Sequence, residues 1–201
     1  MKKIVLASNN QKKIKELKAM LKEYDFEICS LKDENINIDV VEDGKTFEEN
    51  SVKKATEIYN YLLEQGIDDV LVLADDSGLE VDYLNGEPGI YSARYSGEHG
   101  NDYANNIKLL NNMKDAKGEE RKGRFVCALA LIGKDINEVL RGTSEGYIKE
   151  ELMEGKYFGY DPLFFSPYLN KTFAEASTQE KGSVSHRGRA LQQLKEVLIR
   201  L

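Results

Sequence analysis

"VLVLADDSGLEV", residues 70–81, runs five apolar residues into two adjacent carboxylates, Asp75 and Asp76, and then into Ser77-Gly78. A bounded apolar run of this length reads as a buried strand, and the Ser-Gly pair reads as a tight turn that ends it after residue 74. In an open α/β sheet, ligands gather outside the carboxyl ends of the strands. An ordinary strand that surfaces and turns gives the same string, so the neighbouring segments have to decide.

Immediately upstream, Thr46-Phe47-Glu48-Glu49 has the spacing of a capping box, and Val52, Ala55, Ile58, Tyr59, Leu62 and Leu63 follow on one helical face, with Gly66 placed to end the helix. At the start of the chain KKIVLA reads as a strand. Ser8-Asn9-Asn10 supplies cap residues for a helix with apolar positions at Ile14, Leu17, Met20, Leu21 and Tyr24. FEICSL predicts a second strand. Downstream, NDYANNIKLLNNM reads as a third helix, RFVCALALIG and NEVLRGTSEGYI as long strands, and SHRGRALQQLKEVLIRL as a final amphipathic helix. The class is mixed α/β, and the paired late strands predict a sheet that is not wholly parallel.

At 201 residues the chain suits one domain, or one domain with a lobed insertion, and a fold of this size removes roughly 70% of its unfolded surface from water. Its 41% hydrophobic and 31% charged residues, with only 3 Pro, are ordinary globular composition. A net charge of −7 argues against a broad nucleic-acid surface, though not against one small phosphorylated ligand. Cys29 and Cys127 lie in apolar runs and read as buried thiols, which fits a reducing, cytoplasmic setting. The opening apolar run is too short for a signal peptide, and no stretch reaches the ~18 apolar residues of a membrane span.

Neither of the two commonest glycine-rich phosphate cradles is present, and two histidines with two scattered cysteines make a zinc site improbable. Gly142-Thr-Ser144-Glu-Gly146 matches the nucleophile elbow of serine hydrolases, with His186 following in the right order, although Tyr147-Ile148 continues as a strand rather than a helix. The acidic residues form a second constellation. Asp75 and Asp76 close one strand, and Glu42 and Asp43 lie in the loop before the capped helix. Mg²⁺ is typically held by one or two carboxylates together with substrate phosphates, so the two clusters suit such an ion; an acidic surface loop accounts for the same residues without one.

Ser8, Asn9, Asn10 and Lys13 occupy a strand-to-helix turn, where backbone N–H groups and the helix dipole favour an anion; capping with a solvated lysine explains them equally. KYFGYDPLFF, residues 156–165, offers aromatic faces on which a base can stack, or simply core. EKGSVSHRGR, residues 180–189, sets Lys181, His186 and Arg187 at the head of the last helix, where the dipole disfavours cations, and so points to an external partner.

Taken in order, SNNQKK, VEDGKTFEEN, LADDSGLEV, GEPGIYSARY, FGYDPLF and EKGSVSHRGRAL resemble the inosine/xanthosine triphosphate pyrophosphatase family, across residues 4–191. The resemblance implies an ITPase-like α/β fold over residues 1–201 as a single domain, an elongated mixed β-sheet flanked by helices, with two lobes and a central cleft. It implies hydrolysis of ITP, dITP or XTP to the monophosphate and pyrophosphate, with Mg²⁺, by a homodimer. Carried over by motif, Ser8, Asn9, Asn10 and Lys13 bind the triphosphate and Lys54 lies near it. Glu42 and Asp76 hold the metal, Asp76 also serves the attacking water, and Ser77 touches the substrate. Phe158, Gly159, Tyr160 and Asp161 line the nucleoside pocket, and Lys181, His186 and Arg187 face the base. Asp75 is left as a supporting residue. Ser8-Asn9 stands where Thr-Gly is common, and Val41 where a second acidic residue often stands. The competing readings are a nucleotide sensor that turns nothing over and a serine hydrolase using Ser144.

Overall fold

The computed structural model describes residues 2–22, 24–154 and 158–201, so Lys156 and Tyr157 of the aromatic stretch lie outside the described residues. In chain order the elements are β1 (Lys2–Leu6), α1 (Gln11–Leu21), β2 (Phe26–Ser30), α2 (Phe47–Glu64), β3 (Val70–Val81), α3 (Asp102–Asn112), β4 (Lys122–Gly133), β5 (Ile136–Ile148), β6 (Phe164–Ser166), β7 (Lys171–Thr172), α4 (Thr178–Val184) and α5 (His186–Leu198). The strand order is β2-β1-β3-β4-β5-β6-β7. β1 is parallel to β2 and β3, with helical crossovers as parallel neighbours require, while β6 is antiparallel to β5 and β7. The sheet is therefore mixed. Among the described residues no helix is long and apolar enough to cross a membrane.

The chain forms two compact units, Met1–Asp76 with Ala128–Leu140, and Ser77–Cys127 with Arg141–Leu201, so β3, β4 and β5 each contribute to both. In the first unit, Val5, Val72 and Ala74 of the strands meet Ala55, Ile58 and Leu62 of α2. Their 3–4 spacing is the apolar stripe read from sequence, and each large side chain buried this way contributes about 1.5–3 kcal/mol. Helix α2 opens where expected: the Thr46 hydroxyl accepts the Glu49 N–H at 3.1 Å. The return half of the box differs, because the Glu49 carboxylate takes the N–H of Lys45, at 2.6 Å, one residue earlier than a capping box requires. Gly66, at φ 77°, ends the helix as expected.

The second unit has its own core, in which Leu79, Val81, Leu109 and Tyr160 surround Phe125, Phe164 and Phe173. The Phe164 ring lies 4.6 Å from Phe125 and 4.8 Å from Phe173, both tilted, the arrangement aromatic quadrupoles favour. Arg121, only 5% exposed, donates to four main-chain carbonyls: Ile148 (2.6 Å), Lys149 (2.7 Å), Met113 (2.9 Å) and Ala116 (3.1 Å). It ties the end of α3 to the end of β5. Both cysteines are buried and neither is in a disulfide, and burial, the largest influence on it, pushes the Cys29 thiol up to about 12.

Two expectations are corrected. Strand β3 does not stop at residue 74 but runs through Asp75, Asp76, Ser77 and Gly78 to Val81. Leu79 and Val81 are fully buried and alternate with half-buried Glu80, and this period-two burial outweighs the local turn preference of Ser-Gly. Gly78 is not among the positive-φ glycines, so no turn is built there. The two carboxylates thus sit in mid-strand. Likewise Ser144 lies inside β5 with no exposed surface, and among the described residues its hydroxyl has no hydrogen-bond partner. The flanking glycines are explained by packing. A Cβ at 142 would strike the backbone of His186 and Ala190 in α5, and one at 146 the backbone of Phe165 and the ring of Phe164. A nucleophile elbow needs an exposed serine on a strand-to-helix turn, so the serine-hydrolase reading fails.

Candidate active site

The first unit gathers the acidic and phosphate-type residues. Successive side chains of a strand point to opposite faces, and the neighbours Asp75 and Asp76 accordingly find different partners. Asp75, whose side chain has no exposure, pairs with Lys13 of α1. Asp76, 7% exposed, accepts a hydrogen bond at 3.0 Å from Nδ2 of Asn50 in α2. The same Asn50 side chain accepts the Gly44 N–H at 2.8 Å, which ties the Glu42–Gly44 loop to Asp76. A Cβ on Gly44 would lie 2.7 Å from Asn50 Oδ1, so this close approach accounts for the glycine. One turn further along α2, Lys54 Nζ donates to Glu42 Oε1 at 2.5 Å and to the Asp75 carbonyl at 2.7 Å.

The electrostatics follow from this packing. Burial raises the Asp76 pKa above its ordinary value; the Lys54 ammonium opposes the shift and the Glu42 carboxylate adds to it. Burial alone would lower the Lys54 pKa, but Glu42 and Asp76 outweigh it and the net direction is up. Lys54 is therefore a firmly charged ammonium between carboxylates, and Asp76 is a carboxylate made more basic than usual. Among the described residues no group of three or more His, Cys, Asp or Glu side chains could hold a metal. Mg²⁺ does not require three, since waters and substrate phosphates complete its shell, and Glu42 with Asp76 offers the hard oxygen donors it takes.

The strand-to-helix turn behaves as a cap. Asn10 Oδ1 accepts the N–H groups of Lys12 (3.0 Å) and Lys13 (3.2 Å), and Ser8 Oγ accepts that of Asn10 (3.2 Å). Asn9 is exposed beside them. Three of the N–H groups expected to face an anion are thus met by the chain's own side chains, and Lys13 lies on Asp75.

The second unit gathers the remaining residues. Arg187, 1% exposed in the first turn of α5, donates through Nη2 to Ser77 Oγ at 3.1 Å. His186 is buried, its ring stacked on Phe125 at a centroid separation of 4.8 Å. Lys181, in α4, forms a 2.6 Å ion pair with buried Asp161 and lies over the Phe158 ring at 5.1 Å. Gly159, at φ 55°, is held by Asp102 and Asn106 of α3, and the Tyr160 hydroxyl donates to the Ser92 carbonyl at 2.7 Å. Sequence reasoning missed Asn50, Ser92, Asp102 and Asn106. For Asn50 a signal existed: it lies four residues before Lys54 and so on the same face of α2.

Gly142 governs where α5 begins, because it is the point at which β5 meets the backbone of His186 and Ala190. Gly142→Ala should displace the turn carrying His186 and Arg187, at a cost of about 1–3 kcal/mol for overpacking against main chain. We expect a lowered melting temperature in calorimetry; an unchanged value would show that the contact is slack.

Residues 4–197 match the Ham1 family. A dITP/XTP pyrophosphatase of Clostridium perfringens is 58% identical over 199 residues, covering 98% of each chain. A dITP/XTP pyrophosphatase of Bacillus licheniformis is 45% identical over 199 residues, again with 98% of each chain covered. Among solved structures, the Staphylococcus aureus Ham1 protein matches with a TM-score of 0.87 at 42% identity over 98% of each chain. A HAM1 protein from Coxiella burnetii matches with the same TM-score of 0.87 at 34% identity over 100% of each chain.

Proposed function

The chain belongs to the Ham1 family, and from that premise we propose that it hydrolyses non-standard purine nucleoside triphosphates, dITP and XTP among them, to the monophosphate and pyrophosphate. The family resemblance read from the six motifs is borne out by the relatives, which are themselves named dITP/XTP pyrophosphatases. One observation carries the chemical reading: a buried carboxylate, Asp76, made more basic by burial and set against Lys54 and Glu42.

Asp76 takes the proton of a water that attacks the α-phosphorus, and its raised basicity suits a general base. Lys13 and Lys54 lie to the phosphates, with Ser8, Asn9 and Asn10 at the turn beside Lys13, and Ser77 touches the substrate. A divalent cation such as Mg²⁺, held by Glu42 and Asp76, supplies charge stabilisation at phosphate oxygens when bound. Phe158, Gly159, Tyr160 and Asp161 meet the nucleoside, and Lys181, His186 and Arg187 serve the base. Hypoxanthine and xanthine present an acceptor oxygen where adenine presents an amino donor. A site whose donors depend on that oxygen rejects ATP by a factor on the order of 10⁴, because the donors are otherwise left unmet. We assign the protein to the cytoplasm and to a homodimer, which light scattering coupled to size exclusion checks.

The deciding experiment measures pyrophosphate release from dITP, ITP, XTP, GTP and ATP, with Mg²⁺ and with chelator. The expected result is metal-dependent release from the first three. Equal turnover of ATP, or orthophosphate as the first product, would overturn the reading. Binding of dITP without any hydrolysis would favour a nucleotide sensor.

A further inference from the structure

Helix α3 carries none of the residues assigned to substrate, yet two of its side chains grip the FGYD stretch. The Gly159 N–H donates to Asp102 Oδ2 at 3.0 Å, and the Gly159 carbonyl accepts from Asn106 Nδ2 at 2.8 Å. Both main-chain groups of one residue are held from side chains four apart, which lie on one face of a helix. Asn106 Nδ2 also donates to the Asp102 carbonyl at 2.7 Å. With its donors directed at two carbonyls, the amide leaves its Oδ1 buried and without a hydrogen-bond partner among the described residues. A buried acceptor left unmet costs about 1–3 kcal/mol, so the two bonds hold the amide in this orientation against a real penalty.

Gly159 lies in the left-handed region, with nothing within 4 Å of the position a Cβ would take. Backbone conformation, not crowding, therefore selects glycine there. A left-handed residue pinned at both its N–H and its carbonyl fixes the directions in which the chain enters and leaves, and hence where Phe158 and Tyr160 point. The Tyr160 hydroxyl on the Ser92 carbonyl, at 2.7 Å, adds a third fixed point in the same unit.

We propose that Asp102 and Asn106 are positioning residues that set the nucleoside-recognition stretch 158–161 through Gly159. The inference rests on the reading that this stretch meets the nucleoside. Neither residue is among those assigned to the phosphates, and both act on the main chain of Gly159, so loosening the clamp weakens nucleoside binding and spares the step served by Asp76.

The test is steady-state kinetics of the full chain with dITP. Asp102→Ala and Asn106→Ala should each raise KM about tenfold, the equivalent of ~1.4 kcal/mol of lost positioning, with kcat within about twofold. Asp102→Asn keeps an acceptor oxygen for the Gly159 N–H and should restore KM most of the way. Leu109→Ala, in the same helix and fully buried in the core, is the structural control: it should lower the melting temperature without raising KM. Unchanged KM in the two alanine variants, failure of the Asn rescue, or an equal KM rise in Leu109→Ala would overturn the proposal. Phe158→Ala separates the layers. If it raises KM and the clamp variants do not, the clamp alone is wrong; if the wild type hydrolyses dITP and Phe158→Ala leaves KM unchanged, the reading of the stretch falls too.

Discussion

Asp76→Asn is expected to lower kcat for dITP by roughly 10²–10⁴-fold, the range spanned by loss of a general base, while the protein stays folded. The folded-state pKa of Asp76 is raised above the ordinary 3.8, with burial as the chief cause. A group raised in this way contributes stability below its unfolded pKa and loses that contribution as pH rises through the folded value. At neutral pH the ionised carboxylate is therefore a net cost to the fold. The asparagine removes the charge and keeps an oxygen for Asn50 Nδ2, which donates to Asp76 Oδ2 at 3.0 Å. Thermal melts in chelator at pH 7 should place the variant at or above the wild type, by about 2–4 °C for each kcal/mol relieved, with the gap closing as pH falls toward 4. A variant that melts well below the wild type at pH 7 would mean that the carboxylate holds the fold together, and its chemical role would need another explanation.

Arg121→Ala is expected to produce the largest loss of stability. Its guanidinium meets four main-chain carbonyls at 2.6–3.1 Å from within the second unit's interior. Each acceptor deprived of its donor costs about 1–3 kcal/mol, and water entering the space relieves part of this, so a net loss of about 4 kcal/mol is expected. For a chain of this size that lowers the melting temperature by about 10 °C. Arg121→Lys keeps the charge but lacks the planar fork, so it should recover only part of the loss. Calorimetry checks both variants. A drop of less than about 2 °C in Arg121→Ala would show that the carbonyls find other donors. Specific activity of the folded fraction at 25 °C should change little, since the four residues whose carbonyls it meets, Ile148, Lys149, Met113 and Ala116, are not among those proposed to bind substrate.

The elements were legible wherever one face alternates with another over many residues. The stripe of α2, the capping of α1 by Asn10 and the long late strands all stand where the pattern puts them. The local string misled where tertiary burial decides. Ser77-Gly78 has turn chemistry, yet Leu79 and Val81 draw the strand onward because both have a core to enter. The pairing of Lys13 with Asp75 was hidden for a related reason: one residue stands on a helix and the other on a strand 62 positions later, and no spacing rule links them. Asp102, Asn106 and Arg121 act on main-chain atoms of distant residues, whose identities carry no trace of the contact. Asn50 was more accessible, since helical spacing alone places it beside Lys54.

Along the last part of β5, freedom to vary should come in alternate steps. Positions 142, 144, 146 and 148 are buried, and two of them lie against main chain that cannot retreat; positions 141, 143, 145 and 147 are exposed or half-buried. A saturation library would trace a comb, tolerant teeth separated by buried sites, of which 142 and 146 admit little but glycine and 148 takes a large apolar side chain. Descendants of this chain will keep a hydrolase-like signature here for reasons of volume, and motif scanning will go on flagging a serine that water never reaches.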